Sequence, residues 1–354
     1  MAYDIFKSDE TFPLESGNSL PGFHLGYTTH GKLNDTKDNA VWIFHALTAN
    51  SDATEWWHGL VGEGKVFDPA LHFILCVNMP GSCYGSIGPL DTNPETNEPY
   101  YHDFPFFTIK DMIKAYQLLR AFLGIRKIHV GIGGSTGGQQ LLEWAVEEPD
   151  LFEFIFPIAT NALHSAWGIA FNESQRLAIE CDTSWKEKND NAGIEGMKVA
   201  RSIALLSYRH YLIYNSSQAE QGNEKINHFK TASYQRYQGE KLARRFNAFS
   251  YYFLSKGMDS HNVGRNRESV KHALQLIKAK TLAIGITTDI LFPLSEQKFI
   301  ADNIPGATLV TIDSNYGHDG FLIEFEQIEK IIGQFLKSKT EANFKFQIQG
   351  NDSK

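Results

Sequence analysis

The sequence has only three cysteines among its 354 residues, and they are widely spaced at Cys76, Cys83 and Cys181. Because no C-x-x-C pair occurs, we expect neither a disulfide framework nor a structural zinc site. The sequence also lacks an apolar run near the roughly 20 residues of a membrane helix, and its first residues lack a basic segment followed by an apolar one. These absences predict a cytoplasmic protein with no bound metal and no membrane partner.

Positive charge is scarce as well. The chain has 33 Lys and Arg residues against 41 Asp and Glu residues, which gives a formal net charge of -8, and no basic patch stands out. A surface that binds nucleic acid or anionic membranes needs such a patch, so we expect the protein to bind neither. With 42% hydrophobic residues, the chain can form one large α/β domain with an insertion or two ordinary domains. We expect a small-molecule substrate.

Six short apolar segments rich in β-branched and aromatic residues predict buried strands of a parallel sheet. They are VWIFH (41–45), FILCVN (73–78), KIHVGI (127–132), FIFPIA (154–159), TLAIGI (281–286) and TLVTI (308–312). Between these segments, apolar residues recur at helical spacing, most clearly in IKDMIKAYQLLRAFLG. Because strands and helices alternate, the sequence predicts an α/β fold with a mostly parallel, doubly wound sheet.

One segment, residues 161–275, interrupts this alternation. It contains helical stretches such as MKVARSIALLSYRHYLI and many Asn, Arg, Lys, Tyr and Ser residues, but no pattern of a buried strand. We therefore predict a core domain formed by residues 1–160 and 276–354, with a helical cap (lid) inserted at residues 161–275.

A glycine-rich stretch, VGIGGSTGGQQLLEW, places Ser135 between two glycine pairs where a strand pattern gives way to a helix pattern. A dinucleotide fingerprint starting at Gly131 fails because its sixth position is Thr136, and a P-loop fails because Gln139 follows the glycines instead of lysine. What remains is G-x-S-x-G, the pattern of a nucleophile on a strained turn between strand and helix. The alternative is that Ser135 only caps the helix that follows.

The loops after two later strands supply candidate partners for this serine. An α/β-hydrolase presents its triad in the chain order Ser, then acid, then His. His318 follows the last predicted strand, in NYGHDG, and Asp289 follows TLAIGI, in TTDILFP. Asp313 is the alternative acid, although its place in the loop of His318 favours a solvated turn residue. Since a serine hydroxyl needs a base and the base needs an orienting acid, we predict a triad of Ser135, Asp289 and His318.

The oxyanion that forms on serine attack requires two backbone N–H donors. One is predicted at Thr136, directly after the nucleophile, and the other at Leu47 in HALTAN, the loop after the first predicted strand. The alternative interpretation of HALTAN is an ordinary loop at the end of a strand.

Beyond these residues, eight segments resemble the homoserine O-acetyltransferase family, the acetyl-CoA-dependent branch of the α/β-hydrolase fold in methionine biosynthesis. They span nearly the whole chain: FHALTANSDATEWW (44–57), NMPGSCYGSIGP (78–89), DFP (103–105), GGSTGGQQLLEWA (133–145), FNESQRLAI (171–179), SYQRYQGEKLARRF (233–246), DILFP (289–293) and GHDGFL (317–322). The resemblance implies ping-pong transfer from acetyl-CoA, as co-substrate, to L-homoserine, with no cofactor. It also implies a homodimer formed through the cap.

The resemblance further implies that Arg201, in MKVARS, and Asp319 hold the amino-acid substrate. Homoserine is a zwitterion, so its carboxylate suits a guanidinium and its ammonium suits a carboxylate. Taken from the residues alone, Arg201 would be a solvated charge on the cap and Asp319 a loop cap.

The sequence also departs from the family pattern. The family commonly has methionine where Thr136 and Gln139 stand, leucine where Pro80 stands and Asp-Ala-Asn where residues 247–249 read Asn-Ala-Phe. Succinyl-CoA as donor, serine as acceptor and plain ester hydrolysis therefore stay open, as does a binding module of this fold without catalysis. The predicted triad is complete, which argues against the binding module.

The two candidate acids can be separated by mutation. We expect Asp289→Asn to lower kcat by about a thousandfold or more, because the acid holds the histidine tautomer that accepts the serine proton. Asp313→Asn is expected to leave kcat nearly unchanged, since a turn carboxylate takes no part in proton transfer. Steady-state turnover of the two purified, folded variants measures the difference. A crippled Asp313→Asn beside a normal Asp289→Asn would reverse the assignment.

Overall fold

An eight-stranded sheet forms the centre of the molecule. The computed structural model describes residues 3–351, with side chains as far as Ser338. The strands of this sheet are β1 (Asp4–Ser8), β2 (Phe23–His30), β3 (Ala40–Phe44), β4 (Phe73–Val77), β5 (Ile128–Gly134), β6 (Phe152–Ile158), β7 (Lys280–Ile286) and β8 (Thr308–Ile312). Their order is β1-β2-β4-β3-β5-β6-β7-β8, and β2 pairs antiparallel with both of its neighbours while β3 to β8 are parallel. The predicted α/β class with a mostly parallel sheet is confirmed.

The six predicted strands correspond to β3 to β8, but β1 and β2 were not predicted. Both lie at one edge of the sheet, where β1 buries only Phe6 and β2 mixes buried residues with half-exposed His and Thr residues. Neither strand carries a continuous apolar run, because part of each one meets solvent.

Eleven helices, all within residues 3–351, surround or extend from this sheet. They are α1 (Ala53–Trp56), α2 (Ile109–Leu123), α3 (Thr136–Glu147), α4 (Ala166–Glu180), α5 (Ile194–Tyr208), α6 (Tyr211–Gln218), α7 (Lys230–Ala243), α8 (Ala248–Asp259), α9 (Val270–Gln275), α10 (Leu294–Asn303) and α11 (Phe325–Asn351). None of them combines the length and the apolar character that crossing a membrane requires. Local sequence sets their ends: α2, for example, begins at a Thr108–Asp111 capping box and ends at Gly124, whose φ is +69°.

Strand β3 shows how the sheet supplies two hydrophobic cores. Trp42 and Phe44 point to one face, where Trp42 packs edge-on against Trp144 of α3 at a ring separation of 4.7 Å. Val41 and Ile43 point to the other face and belong to the core that includes apolar residues of α11. Both faces of the strand are therefore covered, which is why its sequence is continuously apolar.

The segment between β6 and β7 is helical and contains α4 to α9. Helix α4 packs against α5 and α8, and α5 packs against α7. Helix α9 packs against α3 and α10, which flank the sheet, so the last turn of this segment already belongs with the core elements. The division of the chain at residues 160 and 275 stays a prediction.

Candidate active site

The turn between β5 and α3 holds Ser135 in an unusual backbone conformation, with φ +57° and ψ -129°. Its N–H donates to the carbonyl of Ile158 at 3.0 Å, and its own carbonyl accepts from Thr160 Oγ1 at 2.7 Å. Ile158 at the end of β6 and Thr160 just beyond it thus bind both backbone polar groups of Ser135. A non-glycine residue at such a φ is strained and persists only where the surroundings fix it.

Glycines make this turn possible because the backbones around it nearly touch. A Cβ at Gly137 would lie 2.1 Å from the carbonyl oxygen of Phe44, and a Cβ at Gly133 would lie 2.5 Å from the Gly137 carbonyl. Both distances are far below contact, so hydrogen is the only substituent that fits. The first turn of α3 therefore lies directly against the end of β3.

The capping interpretation of Ser135 is not supported by its contacts. Ser135 stands at the N-cap position of α3, but within the described residues its hydroxyl makes no capping hydrogen bond to the helix. The hydroxyl is instead available to the cavity that this residue lines.

Asp289 and His318 form a buried pair from two different loops. Asp289 follows β7, and His318 lies on the 3₁₀ turn Gly317–Leu322 after β8. His318 Nδ1 lies 2.7 Å from Asp289 Oδ2, while Asp289 Oδ1 accepts the amide hydrogens of Leu291 and Phe292. A carboxylate held this way fixes the ring with its proton on Nδ1, which leaves Nε2 free to accept one.

Asp313 takes another position. Its side chain is exposed and accepts a hydrogen bond from Thr287 Oγ1 at 3.0 Å. Of the two candidate acids, the structure brings only Asp289 to His318.

One cavity of about 70 Å³ brings most of the predicted residues together. Its wall includes Leu47, Ser135, Arg201, His318 and Asp319. Asp289 lies behind His318, and Thr136 directly follows Ser135 at the start of α3. Among the described residues, no hydrogen bond joins the side chains of Ser135 and His318. In many enzymes the hydrogen bonds between catalytic groups become short only when substrate binds.

The loop that carries Leu47 is held by residues that the sequence analysis missed. His45 is fully buried: its Nδ1 donates to the Ala46 carbonyl at 2.9 Å, and its Nε2 accepts from the Met79 amide at 3.0 Å. Burial lowers the pKa of His45 to about 4, so the ring is neutral, as this pair of bonds requires. Arg245 adds a bond from its Nη1 to the Thr48 carbonyl at 2.6 Å.

Leu47 and Thr136 have the backbone property expected of oxyanion donors. Within residues 3–351 neither amide donates to another protein group: Thr136 begins α3, and Leu47 lies in the loop after β3. Amides at the start of a helix have no intrahelical acceptor and are free to bind an anion. Both amides are therefore available to an acceptor, and Leu47 lines the same cavity as Ser135.

The two charged residues implied to hold the substrate differ in their surroundings. The guanidinium of Arg201 lies 5.5 Å from the centroid of the Tyr208 ring, and no ion pair of Arg201 occurs among the described residues. Asp319 Oδ2, in contrast, accepts from Arg209 Nε at 3.0 Å. Sequence reasoning missed Tyr208 and Arg209. Tyr208 follows Arg201 by seven positions on α5, a spacing that returns to one face of a helix, and Arg209 is the next residue.

The thiols are poorly suited to act as nucleophiles here. Burial raises the pKa of Cys83 to about 11, and its Sγ donates to the Arg245 carbonyl at 3.5 Å. Cys76 is fully buried, and the same cause raises its pKa further. In the described part of the chain, no three His, Cys, Asp or Glu side chains are grouped so that they could hold a metal ion.

Comparison with known proteins identifies the family. A model of the alpha/beta hydrolase fold matches residues 39–325. Over 335 residues the chain is 50% identical to a homoserine O-acetyltransferase from Cyclobacterium marinum, with 95% of each chain covered. The chain belongs to the homoserine O-acetyltransferase family. This confirms both the resemblance and the α/β-hydrolase fold expected from the sequence.

Solved structures place members of this fold in two enzyme classes. The chain superimposes on a homoserine O-acetyltransferase from Bacillus anthracis with a TM-score of 0.89, at 24% identity, covering 95% of this chain and 97% of that one. It also superimposes on an acetylester hydrolase from Corynebacterium glutamicum with a TM-score of 0.85, at 23% identity, covering 95% and 96%. At such identities the likeness establishes the fold alone, so the fold does not separate transfer from hydrolysis.

Two departures from the family pattern make their own hydrogen bonds. Gln139 Nε2 donates to Asn161 Oδ1 at 2.9 Å and lies 3.2 Å from His164 Nδ1. Burial lowers the pKa of His164 to about 4, so this ring is neutral and Nδ1 can accept. Asn247 Oδ1 accepts from the Ser250 amide at 2.7 Å and caps α8.

The close approach of α3 to β3 leads to a test by paired glycine variants. Gly137→Ala is expected to lower the free energy of unfolding by about 1 to 3 kcal/mol and to abolish activity, because its Cβ would overlap the Phe44 carbonyl. Gly333→Ala in α11 is the control: no described atom lies within 4 Å of its Cβ, so the free energy of unfolding should rise by about 0.5 to 1 kcal/mol. Urea unfolding measures both, and equal stabilities would contradict the packing argument.

Proposed function

We propose that this chain transfers an acetyl group from acetyl-CoA to the hydroxyl of L-homoserine. The proposal rests on one cavity whose wall combines Ser135, His318, Arg201 and Asp319. Among the described residues the guanidinium of Arg201 has no carboxylate partner, and Asp319 supplies a carboxylate. A zwitterion needs both charges, and an acyl carrier needs only the serine and its base. The family membership of the chain supports the same activity.

In the first half-reaction, Ser135 Oγ attacks the thioester carbonyl while His318 Nε2 accepts the hydroxyl proton. Asp289 keeps the ring oriented and stabilises the imidazolium that results. The amides of Leu47 and Thr136 donate to the oxyanion of the tetrahedral intermediate. Collapse of this intermediate breaks the C–S bond, and the departing sulfur takes the proton from His318, so that free CoA leaves an acetylated Ser135.

In the second half-reaction, homoserine binds with its carboxylate at Arg201 and its ammonium at Asp319. His318 removes the proton from the homoserine hydroxyl, whose oxygen attacks the acetyl carbonyl. The same two amides bind the new oxyanion. When the bond to Ser135 Oγ breaks, His318 returns the proton to the serine, and O-acetylhomoserine is released. The two substrates therefore follow each other in a ping-pong order.

Transfer rather than hydrolysis is favoured by the charges of the cavity. Water needs no charge recognition, whereas Arg201 and Asp319 present opposite charges beside the nucleophile. We propose acetyl-CoA as donor because the family is named for acetyl transfer, with succinyl-CoA as the donor to test against it. A homodimer formed through the cap and a place in methionine biosynthesis belong to the same proposal.

The nucleophile can be identified by trapping the acyl-enzyme. Incubation with acetyl-CoA in the absence of acceptor should add one acetyl mass to the peptide that contains Ser135, because no second substrate removes the group. Ser135→Ala should lose both the label and the turnover, while Ser174→Ala, which changes an exposed serine of α4, should keep both. Peptide mass spectrometry measures the label; full turnover in Ser135→Ala would rule out the mechanism.

Arg201 distinguishes a transferase from a hydrolase. Arg201→Ala should keep the burst of CoA release, since acylation does not involve the amino acid. Transfer should weaken by about 2 to 5 kcal/mol, or roughly 30-fold to several thousandfold in kcat/KM for homoserine, because a charge-assisted pair is lost.

The matched control is Arg236→Ala, which removes an exposed guanidinium from α7 and should change neither step. Rapid-mixing detection of free CoA thiol gives the burst, and steady-state assays with homoserine or serine and with acetyl-CoA or succinyl-CoA give the transfer. Turnover of the unaltered protein that ignores homoserine would identify an esterase.

A further inference from the structure

An ion pair joins the cap helices to the loop of His318 at the edge of the cavity. Arg209, the residue after α5, donates from Nε to Asp319 Oδ2 at 3.0 Å, and the two side chains are 26% and 16% exposed. Asp319 is next to His318 in the chain and lines the cavity, as Arg201 does. The cavity edge therefore carries two guanidinium groups and one carboxylate, and Asp319 is paired with the one that follows α5.

The position of Arg209 is fixed from two further sides. Its guanidinium carbon lies 5.6 Å from the centroid of the Tyr234 ring on α7, a cation–π distance. Its amide donates to the Leu205 carbonyl at 3.1 Å, which continues the hydrogen bonding of α5. Tyr234 in turn packs edge-on against Tyr214 of α6 at 6.2 Å. Three cap helices thus hold the guanidinium that binds Asp319.

Arg201 and Asp319 are oppositely charged and close enough that both act on one phenol. Burial raises the pKa of Tyr208. The charge of Arg201 acts against this rise, and the charge of Asp319 adds to it. In a partly desolvated cavity such opposite charges attract strongly. If they paired directly, Arg201 would no longer be open to the carboxylate of a zwitterion.

We propose that Arg209 is a positioning residue that holds Asp319 away from Arg201, a proposal that rests on the proposed function. By binding Oδ2 it leaves Oδ1 of Asp319 for the substrate ammonium, since each carboxylate oxygen accepts separately. Arg201 then stays open for the substrate carboxylate. Arg209 touches no reacting atom, so it acts on acceptor binding and not on acylation of Ser135.

The test measures acceptor binding and acylation separately. Arg209→Leu should raise KM for homoserine and lower kcat/KM by about 10- to 100-fold, the range for losing a hydrogen bond to a charged group. The burst of CoA release from acetyl-CoA should be unchanged. Arg209→Lys should give an intermediate kcat/KM, because it keeps the charge without the planar donor geometry. Arg244→Leu, which alters an exposed cap arginine, is the control and should match the unaltered protein.

A double-mutant cycle decides whether Arg209 acts through Asp319. In the background of Asp319→Asn, adding Arg209→Leu should change kcat/KM by less than about threefold, because the carboxylate that it positions is already gone. Multiplicative effects, a burst reduced as much as the transfer, or an Arg209→Leu enzyme with normal transfer would each overturn the proposal. If the unaltered protein acylates Ser135 but does not transfer to homoserine, the proposed function itself fails, which is a different and recognisable outcome.

Discussion

The first turn of α3 lies so close to the end of β3 that no side chain fits between them. Gly137 meets the carbonyl of Phe44 there, and this contact brings the serine turn beside the loop that carries Leu47. Ser135 is held at its strained φ by two hydrogen bonds, to the carbonyl of Ile158 at the end of β6 and from Thr160 just beyond it. The loop that carries Leu47, the turn of Ser135 and the start of α3 therefore keep one mutual geometry, on which the proposed roles of the remaining residues depend.

The two opposite charges proposed to bind the acceptor come from separate parts of the fold. Arg201 belongs to helix α5 of the inserted segment, whereas Asp319 follows the last strand of the sheet beside His318. Two hydrogen bonds join these parts: Arg209 donates to Asp319, and Arg245 donates to the Thr48 carbonyl. The helices between β6 and β7 thus meet the sheet at the groups proposed to recognise the substrate.

Sequence reasoning found the residues that are marked by a short local motif or by their order along the chain. Ser135 is marked by its own glycines, and Asp289 and His318 follow consecutive strands of a parallel sheet, whose carboxyl ends meet at one edge. The choice of Asp289 over Asp313 needed only the strand that each follows. Arg201 and Asp319 were not accessible in this way, because an isolated charge has no local pattern, and they came from family resemblance alone.

The sequence by itself determined the alternation of strands and helices, the inserted helical segment and the order of serine, acid and histidine, because each is written in short-range patterns of apolar residues and glycines. Tertiary structure decided the strands β1 and β2 at one side of the sheet and the supporting contacts of the site. Arg209 and Asp319 are 110 positions apart, and Arg245 and Thr48 are 197 apart. Such pairs share no local signal, since they depend on how the inserted helices pack over the sheet, and only the folded chain brings their donor and acceptor groups within hydrogen-bonding distance.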